Sequence, residues 1–287
     1  MPTAEHQVRA PTAAATVLLL RPQNSGFELF MVRRHQKSGF MGGAYVFPGG
    51  KVDEADCHDE MFARVRGQTV DSAAAALGEA RGEESRRRCL GLFVAAARET
   101  FEEAGILLAD VRPGTDLEAL RRRLLDGGDF ASLLQEADAY LRLDRLVAWT
   151  RWITPAIEKR RFDARFFVAS APPGQEGAHD HKETVEHRWI EPERALAEGA
   201  AGTIMLPPPT LKSLEVLRSF VSADDAIHSI GPAPVPTLEP VPIPRDQTPD
   251  GAILGLALPG NVHHPVATPV LPGPTCMLLE EGRWRSE

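Results

Sequence analysis

The sequence predicts an α/β protein, and three observations carry that expectation. Short apolar runs bounded by turn residues recur as strands. A long segment of strong helix formers lies between them. Further strand-like and helix-like segments then alternate to about residue 221. With 287 residues, 43% hydrophobic and 25% charged, the chain is long enough for a sizeable core with an appendage.

The first strand is expected over residues 12–20 and ends at Arg21-Pro22. After Asn24-Ser25-Gly26 a second apolar run, residues 29–32, reads as its partner. Glycines then crowd into Gly39-Phe40-Met41-Gly42-Gly43 and Tyr45-Val46-Phe47-Pro48-Gly49-Gly50, which suggests a backbone that must approach something closely. Residues 57–90, rich in Ala, Arg, Glu and Gly, read as a helical, exposed insertion. Residues 90–104 form a strong helix with Gly105 as terminator.

Helices are expected over 116–125 and 130–141, strands over 146–153, 165–169 and 185–190. Short helices follow over 192–198 and 209–221, the latter with proline at its start. Residues 231–249 carry prolines at 232, 234, 236, 240, 242, 244 and 249, which forbids a helix and favours polyproline II or edge strands. The apolar Met277-Leu278-Leu279 suits a strand returning to the domain.

Composition narrows the function. A net charge of −8 argues against non-specific nucleic-acid binding, which needs Lys and Arg to neutralise phosphates. No stretch is long and apolar enough to span a bilayer, so no membrane role is expected. Cys57, Cys89 and Cys276 show no pairing pattern and suit a reducing, cytoplasmic setting. No nucleophile elbow, Walker loop or zinc-type Cys/His spacing is present. His179 and His181 suggest a ligand pair, but no third histidine or cysteine sits at zinc spacing, so they read as exposed polar residues.

The sharpest feature is Arg98-Glu99-Thr100-Phe101-Glu102-Glu103-Ala104-Gly105-Ile106. At about 100° per residue the three glutamates fall within an arc of roughly 100°. Like charges so placed repel unless a cation sits among them. Arg98 can pair with Glu102 one turn on, which leaves Glu99 and Glu103 to converge on a metal. Ligation by carboxylate oxygens selects Mg²⁺ or Mn²⁺ over zinc. A solvated acidic face is the alternative, but the rest of this helix is apolar.

These residues resemble the signature of the Nudix hydrolase family, G-x5-E-x7-R-E-U-x-E-E-x-G-U, with Phe47-Pro48-Gly49-Gly50 as its opening loop. Three departures stand out: Asp56 replaces the first glutamate, Thr100 replaces a larger apolar residue, and 41 residues rather than seven separate Asp56 from Arg98. The long spacing is similar to the split signature of the branch containing peroxisomal CoA and acyl-CoA diphosphatases and their bacterial relatives. Residues 42–53 and 161–167 resemble that branch too.

The resemblance implies an α/β/α sandwich with a mixed sheet over residues 1–222, with an insertion at 57–90. A Pro-rich extension, 223–287, is expected to pack on it. It implies hydrolysis of a diphosphate linkage in a small-molecule nucleoside-diphosphate derivative, CoA or acyl-CoA being preferred over NADH, ADP-ribose or a nucleotide sugar. A Nudix-fold binding module without turnover is the rival. Metal ligands would be Gly50, through its backbone, with Glu99, Glu102 and Glu103. Arg98 would hold the cluster in register, and Glu183 would reach the metal or attacking water, with Glu186 competing. Arg33, Arg34, Lys51, Arg160 and Arg161 are candidate phosphate partners. Trp149 and Trp152 suit core packing better than base stacking. A homodimer through the tail is left open.

Overall fold

A computed structural model describes residues 10–38, 41–79, 81–230, 234–244 and 253–287. Gly39, Phe40 and parts of the Pro-rich stretch (231–233 and 245–252) lie outside the described residues. The first two strands, β1 (Thr12–Pro22) and β2 (Phe27–Arg34), form the expected hairpin. They pair only beside the turn, from Leu20↔Leu29 to Pro22↔Phe27. Beyond it they part. Into the gap run β3 (Tyr45–Val46), paired with β2, and β4 (Gly49–Lys51), paired with β1. The glycine-rich segment therefore lies inside the sheet. A Cβ at Gly49 would collide with the Ala15 carbonyl oxygen, so this close approach requires glycine.

The segment read as an exposed insertion is folded and partly buried. It holds a 3₁₀ turn at Glu54–Cys57, then α1 (Asp59–Phe62), β5 (Val65–Arg66) and α2 (Val70–Leu77). Ala73, Ala74 and Leu77 of α2 join the core against α3 (Glu83–Ala104). That central helix starts at Glu83 rather than 90. Its first turns are charged and show no apolar periodicity, yet Glu and Arg are good helix formers. It ends where expected, at Gly105 with φ 68°.

Next come β6 (Ala109–Asp110), α4 (Leu117–Leu125), α5 (Phe130–Glu136) and β7 (Tyr140–Arg142). Asp116 and Asp129 cap the two helices, accepting from Ala119 N and Ser132 N, each at 2.9 Å. The second helix stops at Glu136, short of 141, because Asp138 turns the chain at φ 50° and Leu141 pairs with Ala109 and Val65.

The main sheet is completed by β8 (Val147–Ile153), β9 (Phe162–Ser170) and β10 (Thr184–Ile190). After α6 (Pro192–Ala200), α7 (Pro208–Leu217) and α8 (Ala223–Ile230), a short β11 (Thr237–Leu238) joins its edge. The order is β10-β2-β1-β9-β8-β11, with β1·β9 and β8·β11 parallel and the other pairs antiparallel. The sheet is mixed, as the family resemblance implied. A second, four-stranded sheet comprises β12 (Val241–Pro244), β13 (Ile253–Ala257), β14 (Cys276–Glu280) and β15 (Arg283–Ser286).

Alternation along β1 builds two cores. Ala15, Val17 and Leu19 face α3, while Leu18 and Leu20 face α6, α7 and the C-terminal strands. Trp149 and Trp152 are buried in the second core. Leu256, Leu258 and Met277 join it as well. Lys212 of α7 secures this segment: buried at 1% exposure, its Nζ donates to Pro272 O at 2.8 Å and Pro274 O at 2.6 Å.

In the first core Phe93 packs on Phe167 with ring centroids 4.7 Å apart, both fully buried. Phe93→Ala is expected to cost about 3–5 kcal/mol of unfolding free energy. Urea denaturation measures it, and a loss near zero would contradict the central placement of this helix.

Candidate active site

The split between β1 and β2 sets the site. It brings the Gly49–Gly50 backbone against one face of α3, where Glu99 and Glu103 lie. Glu103 is 4% exposed, and its Oε2 accepts a hydrogen bond from Gly49 N at 2.9 Å. Burial pushes its carboxyl up to about 8. Glu99 and Glu183 add to the rise, while the Gly49 bond and Arg34 oppose it. Glu99 is pushed up to about 7, mainly by burial and against the pull of Arg98. Burial also raises Glu102.

Glycine at position 50 leaves room for this arrangement, because a Cβ there would stand 2.5 Å from the Glu99 carboxyl carbon. Gly50→Ala is expected to push that carboxylate out of place. Turnover should drop at least about tenfold with little change in melting temperature. Wild-type kinetics in this variant would show that the close approach does not matter.

Arg98 holds the cluster, and it pairs with Glu102 as its spacing suggested, but Glu102 is not its main partner. Its principal partner is Asp56, through Nε–Oδ1 at 2.8 Å and Nη2–Oδ2 at 2.9 Å. Nη2 also donates to Lys51 O at 2.9 Å, while Nη1 spans Glu99 Oε1 at 2.9 Å and Glu102 Oε1 at 3.2 Å. Asp56 is 2% exposed and also accepts from Asp53 N at 2.8 Å. The sequence placed Asp56 in the signature without a role. Its position six residues after Gly50 is the signal that could have supplied one.

Thr100, where the signature has a larger residue, is fully buried with its hydroxyl donating to Ala96 O at 2.7 Å. A second contributor left no local signal in the sequence. Arg121 of α4 donates through Nε and Nη2 to Glu102 O, at 3.0 and 2.7 Å, a carbonyl in the last turn of α3 that the helix itself leaves without a donor.

The remaining candidates separate by sheet face. Arg34 lies on the α3 side, close enough to oppose the rise at Glu103. Arg33 points to the opposite face and pairs with Glu186 at 3.3 Å. Glu186, beside Tyr45, is therefore removed from the carboxylates. A bulge between Thr184 and Glu186 produces this, since it shifts which residues of β10 face α3. Glu183 is exposed just before that bulge, its backbone oxygen accepting from His35 N at 2.9 Å, and its charge reaches Glu103.

Lys51 is exposed and forms no ion pair among the described residues. Arg160 is likewise exposed. Arg161 is engaged elsewhere, donating to Thr154 O at 2.9 Å and pairing with Glu239 at 3.1 Å, so its expected role at a substrate phosphate is not supported. Trp149 and Trp152 pack on the side away from α3, which agrees with core packing.

A divalent cation fits this cluster by donor chemistry. Two carboxylates with raised proton affinity, Glu103 buried and Glu99 half-buried, lack sufficient positive charge, and they face a backbone cradle of two glycines. Among the described residues, no three His, Cys, Asp or Glu side chains already converge as a ligand set. Arg98 and Gly49 N occupy some of the oxygens instead.

With this geometry in hand, comparison with known proteins is decisive. The family model for the NUDT19 Nudix domain matches residues 3–217. The chain belongs to the NUDT19-type Nudix family. It is 28% identical over 246 residues to the acyl-coenzyme A diphosphatase NUDT19 of Xenopus laevis, covering 70% of this chain and 62% of that protein. The Homo sapiens protein of the same name is 29% identical over 245 residues, covering 71% and 64%. The chain thus spans less than two thirds of the length of these curated relatives. A Nudix hydrolase from Alicyclobacillus acidocaldarius shares the fold with a TM-score of 0.63 and 28% identity, covering 78% of this chain and 99% of that one. In the NUDT19-type chain, as in the resemblance read from its sequence, the two halves of the signature are separated by a folded insert.

Proposed function

We propose that this chain is a divalent-metal-dependent Nudix pyrophosphohydrolase that cleaves the diphosphate of CoA or acyl-CoA. The products would be 3′,5′-ADP and phosphopantetheine or its acyl form. The observation that carries the reaction class is the pair of buried Glu103 and half-buried Glu99 against the Gly49–Gly50 backbone. Kinship with proteins named acyl-coenzyme A diphosphatases supports the substrate.

Chemistry follows from charge. A diphosphate repels nucleophiles, so hydrolysis needs positive charge on its oxygens and an activated water. Glu99, Glu102, Glu103 and the Gly50 carbonyl would hold Mg²⁺ or Mn²⁺, which supplies charge neutralisation and lowers the pKa of bound water. Arg98, locked by Asp56, keeps Glu99 and Glu102 in register. Arg34 and Lys51 would pair with phosphate oxygens. Glu183 would take the proton as water attacks one phosphorus and the bridging P–O bond breaks, the departing phosphate carrying the negative charge. Glu183→Gln is expected to lower kcat by about 10²–10⁴ while Mn²⁺ affinity persists. An unchanged kcat would move the base to a helix carboxylate.

Three free cysteines suit a reducing compartment, and we place the activity in the cytoplasm. Among the described residues no helix is long and apolar enough to cross a membrane.

The test is product detection by mass spectrometry with Mg²⁺ or Mn²⁺ and a panel of CoA, acyl-CoAs, NADH, ADP-ribose and nucleotide sugars. Selective loss of CoA compounds with release of 3′,5′-ADP is expected. Cleavage of another compound would keep the reaction and overturn the substrate. No cleavage with either metal would favour a binding module.

A further inference from the structure

Glu183, the proposed base, lies in a loop that one buried carboxylate organises. Asp180 is 9% exposed. Its Oδ1 accepts from Lys182 N and Glu183 N, each at 3.1 Å, from Thr184 N at 2.8 Å and from the Thr184 hydroxyl at 2.7 Å. Its Oδ2 accepts from Glu183 N at 3.0 Å. Burial alone would raise the Asp180 carboxyl, but the Thr184 hydroxyl and these N–H groups outweigh it and hold the group below the usual carboxylate range. Asp180 is therefore charged at neutral pH, which strengthens each of these bonds.

The loop is fixed on both sides of this turn. His181 sits at φ 60°, a conformation that costs a non-glycine residue free energy and persists where surrounding bonds over-determine it. Upstream, Ala178 N donates to Ala104 O at 2.7 Å. The Gln175 amide accepts from Leu107 N at 2.7 Å and donates to Leu107 O at 3.1 Å. These contacts tie the loop to the exit of α3, immediately past Glu103. Downstream, Glu183 O accepts from His35 N, just beyond β2. Both backbone polar groups of Glu183 are thus bonded, whereas its exposed side chain forms no hydrogen bond or ion pair among the described residues. A fixed backbone under a free carboxylate suits a group that must meet a reacting water rather than a protein partner.

We propose that Asp180 is the positioning residue for Glu183, holding the base toward Glu103 through its backbone; this rests on the reading of Glu183 as the base. A role confined to starting β10 needs only the bonds to Thr184, yet both carboxylate oxygens also reach Glu183 N. Asp180 is itself unsuited to proton transfer, because donors occupy both its oxygens and lower its proton affinity.

The test compares kinetics on CoA with Mg²⁺ in the full chain and its variants. Asp180→Ala should lower kcat about 10–100-fold with KM unchanged, because substrate contacts stay and only the base moves. Asp180→Asn keeps an oxygen for the donors to Oδ1 and gives up only the Oδ2 bond, so it should recover a large part of kcat. Asp180→Ala added to Glu183→Gln should cost no further kcat, since a missing base cannot be misplaced. Amide hydrogen exchange without substrate reads the geometry apart from turnover. In Asp180→Ala, protection should fall at residues 182–184 and persist over residues 186–190. Wild-type kcat in Asp180→Ala beside a large loss in Glu183→Gln would overturn the positioning role and leave the base in place. So would an equal further loss in the double variant, or loss of protection along the whole of β10. Wild-type kcat in Glu183→Gln would remove the base itself, and this role with it.

Discussion

Replacing Glu103 with Gln is expected to lower Mg²⁺-dependent kcat by about 10²–10⁴. The amide keeps the shape of the side chain and can still accept from Gly49 N, so packing is preserved while the charge is lost. Glu103 is nearly inaccessible and has one hydrogen bond to hold its charge, which is the condition for dependence on a cation. Near wild-type turnover in the variant would refute the metal assignment. A drop in kcat accompanied by unchanged Mn²⁺ affinity would instead assign Glu103 to proton transfer.

The same substitution has a signature in stability. Without metal, the Glu103 carboxyl titrates at about 8 in the folded chain against 4.5 for an ordinary glutamate. The folded state therefore holds this proton more tightly. Its contribution is fully present below pH 4.5 and is lost as pH rises to about 8, at up to about 1.4 kcal/mol per pH unit. Glu99, pushed up to about 7, adds a loss of the same sign over a narrower window. In chelator, wild type should therefore lose stability relative to Glu103→Gln between pH 5 and 8. Mg²⁺ should restore the wild type and leave the variant unchanged. Parallel pH profiles for the two proteins in chelator would contradict the buried carboxylate.

Asp56→Ala is expected to cost about 3–5 kcal/mol of stability, because it strands the 8%-exposed Arg98 guanidinium without its two-pronged partner. Activity should fall with it, since Arg98 Nη1 holds both Glu99 and Glu102. Simple loss of packing predicts the stability change but not its reversal. Pairing Asp56→Leu with Arg98→Met removes both charges and should recover a large part of the lost stability without recovering activity. Equal destabilisation in the single and double variants would show that the ion pair is not the cause.

Residues close in sequence made their part of the site legible. The central helix, its terminator at Gly105 and the common face of Glu99, Glu102 and Glu103 all follow from a 3.6-residue period. The glycines at 49 and 50 imply a close approach, and the prolines of residues 231–249 favour edge strand or polyproline, which agrees with the short β11 and β12. The helix start was misplaced because charged turns carry no apolar period, and the insertion looked exposed because alanine is small on either a core or a surface face.

What only the tertiary structure decided rests on contacts between residues far apart in sequence. Asp56 and Arg98 stand 42 positions apart, and Gly49 and Glu103 stand 54 apart. Their meeting depends on β1 and β2 parting beyond their turn, which no local pattern encodes. The separation of Glu186 from the helix carboxylates, and of Arg33 from Arg34, turns on strand register and on one bulge. A one-residue shift there exchanges the faces of the sheet. Side-chain type and spacing thus determined which chemistry the chain could carry, while pairing between distant strands decided which carboxylates and cations share a face, because a strand's register is set by its neighbours.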